Sequence, residues 1–240
     1  MVSARIAIIL ARGGSKRLPR KNVIDFFGKP MLAWSIEAAL ESNCFQRVLV
    51  STDDPQIAAI AIKHGAEAPF LREVAADDMS SSSEATIVAL EQAERHWKSH
   101  YKVVAQLMAN CPMRTAKDIK TAFEHFDETG ARAQISSFRF GWMNPWWAAQ
   151  IDTQGTPEYL FPAERMARSQ DLPALYCPSG ALWIAKRDAL LVERTFYASG
   201  HVFHQLNWMS AMDIDDAEDL AIARACFLAR SGSPDDLSGA

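Results

Sequence analysis

Arg5-Ile6-Ala7-Ile8-Ile9-Leu10 runs directly into Ala11-Arg12-Gly13-Gly14-Ser15-Lys16-Arg17-Leu18-Pro19-Arg20-Lys21-Asn22. The first six residues form an apolar run that stops at a glycine turn, which reads as a buried strand feeding a loop. That loop then offers two glycines and five cations within ten residues. Glycine lets a backbone approach a ligand and adopt φ > 0, so that successive N–H groups of Ala11, Gly13 and Gly14 face an anion. Arg12, Lys16 and Lys21 can offset the charge of a nucleoside triphosphate, arginine by bidentate bonding and lysine as a point charge. Two better-known loops are excluded by inspection, because the stretch contains neither GxxxxGK[ST] nor GxGxxG. Arg12–Asn22 has no aromatic residue, which speaks against single-stranded RNA. The plainer alternative is a solvated basic turn.

Outward from this loop, apolar runs and amphipathic segments alternate. A helix is expected over Pro30–Leu40, a strand at Arg47–Ser51 and a helix at Pro55–Lys63. Ser81 and Glu84 form a capping-box pattern ahead of Ile87, Leu90, Ala93 and Trp97, which share one helix face. A strand follows at Lys102–Gln106. Thr115 and Asp118 can cap a helix carrying Ile119, Ala122, Phe123 and Phe126, and Ala133–Ser137 is the next strand. Such alternation predicts an α/β fold with a single doubly wound, mostly parallel twisted sheet. Ligands of such sheets sit at the carboxyl ends of the strands.

The rhythm breaks over 138–177, where Trp142, Trp146, Trp147 and several prolines interrupt helical periodicity. This stretch reads as an arm inserted into one domain spanning 1–230. Its tryptophans either form a dimer interface or pack on their own domain. The α/β pattern resumes at Ala181–Ala185 and ends in a helix at Ala217–Ala229. Residues 231–240 read as a flexible tail.

The 240 residues are 49% hydrophobic and 22% charged, with a formal net charge of −4. Neither a nucleic-acid partner nor a membrane span is expected from this balance. Cys44, Cys111, Cys177 and Cys226 form no CxxC, so neither a disulfide framework nor structural zinc is expected, and a cytoplasmic location fits. The apolar start is too short for a signal peptide.

The loop, followed by Asp25-Phe26-Phe27-Gly28-Lys29-Pro30-Met31, resembles the acylneuraminate cytidylyltransferases, the CMP-sialic, pseudaminic and legionaminic acid synthetases. Val50-Ser51-Thr52-Asp53-Asp54, Gln106-Leu107 with Pro112-Met113-Arg114, and Met212-Asp213-Ile214-Asp215 match its later motifs in order and spacing. The resemblance implies transfer of CMP from CTP to a nine-carbon 2-keto sugar acid with Mg²⁺, releasing pyrophosphate. It places Arg12, Ser15, Lys16, Lys21 and Asn22 on the triphosphate and nucleotide, and Arg72, Ser80 and Ser82 around the cytidine. Gln106, Arg168, Gln170 and Tyr176 fall to the sugar, and the arm to a homodimer. Leu10, Ala109-Asn110-Cys111, Ser179 and Trp183 depart from the family pattern. The last two bear on which sugar is used.

Asp213 and Asp215, one residue apart in an extended segment, put two hard oxygen donors on one face, which suits Mg²⁺. Asp216 points away and can cap the final helix. His201 and His204 lack a third ligand and read as structural or solvent-facing. No His or Glu falls inside a motif, so no general base is assigned. The alternatives are a nucleotidyltransferase for another sugar (an eight-carbon ulosonic acid or a sugar 1-phosphate) and a catalytically silent nucleotide-binding protein.

Overall fold

The expected first strand is β1 (Arg5–Leu10) of the computed structural model, which describes residues 4–74 and 81–231. A short hairpin, β2 (Asp25–Phe26) and β3 (Lys29–Pro30), leads into α1 (Met31–Ser42). Then come β4 (Arg47–Ser51), α2 (Pro55–Lys63), α3 (Ser82–Trp97), β5 (Val103–Met108), α4 (Ala116–Thr129) and β6 (Ala133–Arg139). The arm carries β7 (Ala149–Ile151) and β8 (Pro157–Tyr159). The chain returns through β9 (Tyr176–Lys186), α5 (Arg187–Glu193), β10 (Val202–Gln205) and α6 (Ala217–Ser231).

The main sheet has the order β10-β6-β9-β5-β1-β4. β1 pairs in parallel with both β4 and β5, and β10 in parallel with β6. β9 runs antiparallel between β5 and β6. The mostly parallel sheet is therefore as expected, with one reversed strand whose cause is local. The arm leaves the end of β6 and returns into β9 without a crossover, so β9 must run the other way. Its register with β6 shifts between Ile135 and Ser137.

β1 shows why a central strand reads as unbroken apolar sequence. Ala7 and Ile9 pack with Leu32, Ile36 and Phe123 on one face, while Ile6 and Ile8 pack with Leu90, Tyr101 and Phe196 on the other. Helix starts follow the expected chemistry. Ser81 Oγ accepts from Glu84 N, and Thr115 with Asp118 makes a reciprocal capping box. Two features were not anticipated: α5, and the edge strand β10 that carries His204. His204 packs against the His125 ring at 5.1 Å, and His201 Nδ1 lies 3.0 Å from the Ala198 carbonyl, which accords with structural roles.

Two boundaries differ from the expected ones. Phe138–Arg139 and Tyr176–Cys177 belong to the main sheet, leaving 140–175 as the arm proper, and Ser231 belongs to α6 rather than to a tail. Within the arm Trp146 packs locally, its Nε1 donating to the Pro173 carbonyl and its ring edge-on to Phe161. Trp142 and Met166 stand exposed.

A satellite core positions the two ends of the chain. Phe26, Met31, Ile214, Leu220 and Ala223 are buried together, with Leu18, Phe27, Trp34 and Phe227 packed against them. Phe26 meets Trp34 and Phe227 edge-on, and Phe27 stacks on Phe227 at 4.3 Å. With Ile214 fully buried in this cluster, its neighbours Asp213 and Asp215 turn the opposite way. Ile214→Ala is expected to cost about 2–5 kcal/mol and Ile214→Val about 0.5–1.5 kcal/mol, measured as a lowered urea midpoint.

Candidate active site

β1 delivers the cation loop to the carboxyl edge of the sheet, where Ala11 N still donates to the Ser51 carbonyl at the end of β4. The loop after it is held by carboxylates. Gly13 N donates to Asp53 Oδ1 at 2.9 Å, and Arg20 pairs with Asp54 Oδ2 at 2.6 Å. Asp54 also caps α2 by accepting from the backbone of Gln56 and Ile57. Those contacts hold the Asp54 carboxyl below its usual range, although desolvation is the largest influence and opposes them. Asn22 closes the loop by donating from Nδ2 to the Arg12 carbonyl.

The expected positive φ at Gly13 and Gly14 is not found; the left-handed residues nearby are Arg20, Phe27 and Gly28. Gly13 serves close approach instead. A Cβ there would lie 2.8 Å from Asp54 Oδ2, so any side chain would push the loop off the carboxylates that seat it. Gly14 faces open space.

The loop walls a cavity of about 500 Å³. Arg12, Ser15, Lys16, Arg17, Lys21 and Asn22 line it from the N-terminal side. Ser82 and Ala85 line it from the first turn of α3, together with Arg72, Asn110, Asp213 and Asp215. The first turn of a sixteen-residue helix therefore opens on a cationic pocket, a favourable setting for a phosphate. Arg72 is 4% exposed, donates to both oxygens of Ser51 and leaves a buried Nε without a hydrogen bond among the described residues. Burial lowers its pKa, and the nearby Asp53 charge works against that.

The pocket joins sequence ends almost two hundred residues apart. Lys21 Nζ lies 2.7 Å from Asp215 Oδ1, and Arg17 Nη2 lies 2.5 Å from Oδ2. Asn110, seen in the sequence only as a departure from a family pattern, clasps the segment that carries Asp215. Ile214 N donates to the Asn110 carbonyl, and Asn110 Nδ2 donates to the Ile214 carbonyl and to Asp215 Oδ1. As expected, Asp216 accepts from the backbone of Glu218 and Asp219 at the start of α6. Asp219 returns the contact by accepting from Asp215 N and Asp216 N.

The two carboxyls are shifted in opposite directions. Desolvation and then the Asp215 charge push the Asp213 carboxyl up. Asp215 meets an opposing desolvation of its own, yet Lys21 and Arg17 hold it down. A hard divalent cation fits this pair. It meets two oxygen donors, one of them raised by its neighbour's charge, and no third His, Cys, Asp or Glu gathers there among the described residues. Water and phosphate oxygens would complete its shell. Cys111 lies beneath, but burial pushes its thiol up to about 12, so it stays protonated and offers no ligand at neutral pH.

Of the residues singled out in the sequence, Arg12, Ser15, Lys16, Lys21, Asn22, Arg72, Ser82, Asp213 and Asp215 line this one pocket. Ala11, Gly13 and Gly14 belong to its loop, and Ser80 lies outside the described residues. Gln106, Arg168, Gln170 and Tyr176 do not line it. Gln106 is fully buried and accepts from Thr86 Oγ1. Arg168 is an exposed residue paired with Asp171. Gln170 lines a second cavity of about 460 Å³ with Arg139, Phe140, Asn144 and Ser169. Tyr176 is exposed on β9. Ser179 is buried against Ser136, and Trp183 Nε1 donates to the Ser179 carbonyl, so neither lines the main pocket. Sequence reading missed Asp53, Arg17 and Asn110 as parts of the site. The first was visible only as a motif letter, and the other two act through contacts with distant residues.

A sequence model of the cytidylyltransferase family matches residues 6–225. The chain is 35% identical over 224 residues to a pseudaminic acid cytidylyltransferase of Campylobacter jejuni, covering 92% of this chain and 95% of that protein. It is 32% identical to a CMP-N,N'-diacetyllegionaminic acid synthase of Legionella pneumophila, over 90% of this chain and 93% of that one. Among solved structures, a CMP:2-keto-3-deoxy-manno-octonic acid synthetase complexed with CTP superposes with a TM-score of 0.68 at 19% identity. It covers 95% of this chain and all of that one, and supports the fold.

The raised Asp213 carboxyl has a consequence for stability. An acid whose pKa rises on folding opposes folding while it is ionised, and that opposition disappears once acid protonates it in both states. With metal chelated at pH 7, Asp213→Asn is therefore expected to raise the urea midpoint. The advantage should fade as the pH is lowered through the folded carboxyl's range, where wild-type Asp213 also becomes neutral.

Proposed function

The chain belongs to the cytidylyltransferase family, and on that basis we propose that it transfers CMP from CTP to the anomeric hydroxyl of a nine-carbon 2-keto sugar acid, releasing pyrophosphate. The observation that carries this reading is the cavity in which the cation loop and the Asp213–Asp215 pair face each other. The enzyme is a nucleotidyltransferase acting on a ulosonic acid; the nine-carbon chain length is the finer part of the proposal. Supporting it are the two relatives above, one acting in name on pseudaminic acid and one on legionaminic acid, each covered almost end to end.

Arg12, Lys16 and Lys21 hold the triphosphate and stabilise the charge that builds on the α-phosphate and on the departing pyrophosphate. The start of α3 adds a fixed helix dipole towards the same anion, while Ala11 N and Gly13 N are already bonded to the Ser51 carbonyl and to Asp53 and serve to seat the loop. Arg72 and Ser82 border the cytidine. The sugar hydroxyl attacks in line: its oxygen bonds to the α-phosphorus, the bond from that phosphorus to the bridging oxygen breaks, and the hydroxyl proton leaves to solvent. Asp213 and Asp215 would hold a divalent cation, magnesium in this proposal. When bound, the cation neutralises phosphate charge and makes a coordinated hydroxyl more acidic. Arg168 is assigned the sugar carboxylate and the arm a dimer contact. Arg168 lies outside the main cavity of its own chain, so this assignment requires the arm to serve a neighbouring subunit's pocket.

Pyrophosphate release, measured with all four nucleotides and with neuraminic, legionaminic and pseudaminic acids, tests this reading. Activity is expected with CTP and one of these acids; activity confined to an eight-carbon acid or a sugar 1-phosphate would overturn it. Asp213→Asn is expected to lower kcat at least about a hundredfold, the loss that removal of mere supporting partners of a metal ligand can reach. Near-normal metal-dependent turnover in this variant would refute the metal assignment. Arg168→Ala should raise the KM for the sugar acid and leave that for CTP unchanged.

A further inference from the structure

Both carboxylate oxygens of Asp215 are engaged by loop cations: Lys21 on Oδ1 at 2.7 Å and Arg17 on Oδ2 at 2.5 Å. Its neighbour Asp213 lines the same cavity and makes no ion pair among the described residues. A hard cation approaching the pair therefore meets one open carboxylate and one already neutralised. The cation loop is in the converse position, because two of the side chains that face the cavity are spent on an acid.

Building on the reading that this cavity takes CTP with a divalent cation, we propose that Arg17 and Lys21 are exchangeable counter-ions. Asp215 holds them in the nucleotide-free enzyme and releases them to the triphosphate, so that nucleotide and divalent cation bind as a coupled pair. Arg17 is thereby a triphosphate-binding residue outside the set that the family motif assigns to the nucleotide.

The geometry suits an exchange. The Arg17 side chain is 67% exposed, so its contact with Asp215 is screened and easily given up. Lys21 is more enclosed, at 16% exposed, and needs only to turn on its stem within the same cavity. A phosphate chain entering beside them offers more acceptor oxygens and more charge than one carboxylate, and arginine binds phosphate through two parallel bonds. Once both cations leave, Asp213 and Asp215 stand together uncompensated, and their repulsion favours a metal ion. Asn110 Nδ2 and the buried Ile214 keep Asp215 in place meanwhile, so the swap needs no backbone movement. Coupling of this kind is reciprocal: whatever factor the nucleotide gives the metal, the metal gives the nucleotide.

Two binding measurements on the full chain, neither of them an activity assay, test the exchange. In the first, Mn²⁺ is titrated into nucleotide-free protein and followed by electron paramagnetic resonance. Arg17→Ala is expected to bind Mn²⁺ roughly fivefold more tightly than wild type, the low end of ordinary coupling between sites. Arg20→Ala removes a loop cation that pairs with Asp54 instead, and should leave Mn²⁺ affinity unchanged. In the second, CTP is titrated calorimetrically in the presence of chelator. Asp215→Asn frees both cations and is expected to bind metal-free CTP roughly fivefold more tightly, by more than Asp213→Asn gains.

A strut role for Arg17 predicts the opposite sign in the first measurement, since losing the strut would loosen the metal site. Unchanged or weaker Mn²⁺ binding by Arg17→Ala, an equal gain in Arg20→Ala, or no excess gain in Asp215→Asn over Asp213→Asn would each overturn the exchange. If wild type binds and turns over CTP while these comparisons stay flat, the exchange alone falls. If wild type binds no CTP at all, the functional reading falls and takes the exchange with it.

Discussion

The contact between Lys21 and Asp215 at 2.7 Å ties the first loop of the chain to its last, and the main cavity lies where the two meet. Neither side could be stable alone. A ten-residue stretch with five cations repels itself, and two adjacent carboxylates do the same. Burying either without a counter-charge would be costly. The satellite core of Phe26, Trp34, Ile214 and Phe227 supplies the apolar attraction that brings them together. Burial of Ile214 turns Asp213 and Asp215 the other way, and Lys21 and Arg17 then pair with Asp215.

Three of the loop cations, Arg17, Arg20 and Lys21, are answered from two places in the chain. Arg20 is answered by Asp54 after β4, and Arg17 and Lys21 by Asp215 before α6. Asp53 contributes through the backbone, accepting from Gly13 N. The loop is thus held by carboxylates on two sides, with its remaining surface turned to the cavity. This explains why a glycine is needed at 13 for closeness rather than for an unusual φ. Both acids of the Asp53-Asp54 pair seat the loop, and Asp54 also caps α2.

Much of this was legible in the residues themselves. Continuous apolar runs marked the parallel strands, and Ser81, Thr115 and Asp118 marked helix starts, because buried strands and helix caps use local chemistry. The one reversed strand was read only in part, as Ala181–Ala185. Its first half, Tyr176-Cys177-Pro178-Ser179-Gly180, contains weak strand formers and is held by pairing with β6. The cation loop and the Asp213–Asp215 pair could be named from type and spacing. Arg17, Asp53 and Asn110 could not, since their part in the site depends on partners 198, 40 and 105 positions away. Long-range partners leave no periodic trace.

The sugar side of the site was the least legible, for a related physical reason. A triphosphate demands concentrated charge, and concentrated charge stands out in any sequence. A sugar acid is recognised by scattered hydroxyl-sized contacts and a single carboxylate partner, so its pocket can be assembled from residues of ordinary type. Arg168 and Gln170 sit on the arm, away from the cation loop, and Gln170 lines a cavity of its own with Arg139 and Asn144. A reaction that joins the two substrates needs them within bonding distance of one phosphorus atom. For the arm to take part in that step as proposed, it would serve the main cavity of a neighbouring subunit, or move. The exposed Trp142 and Met166 on that arm give the first option a physical basis, because apolar side chains left in water favour burial against another protein surface.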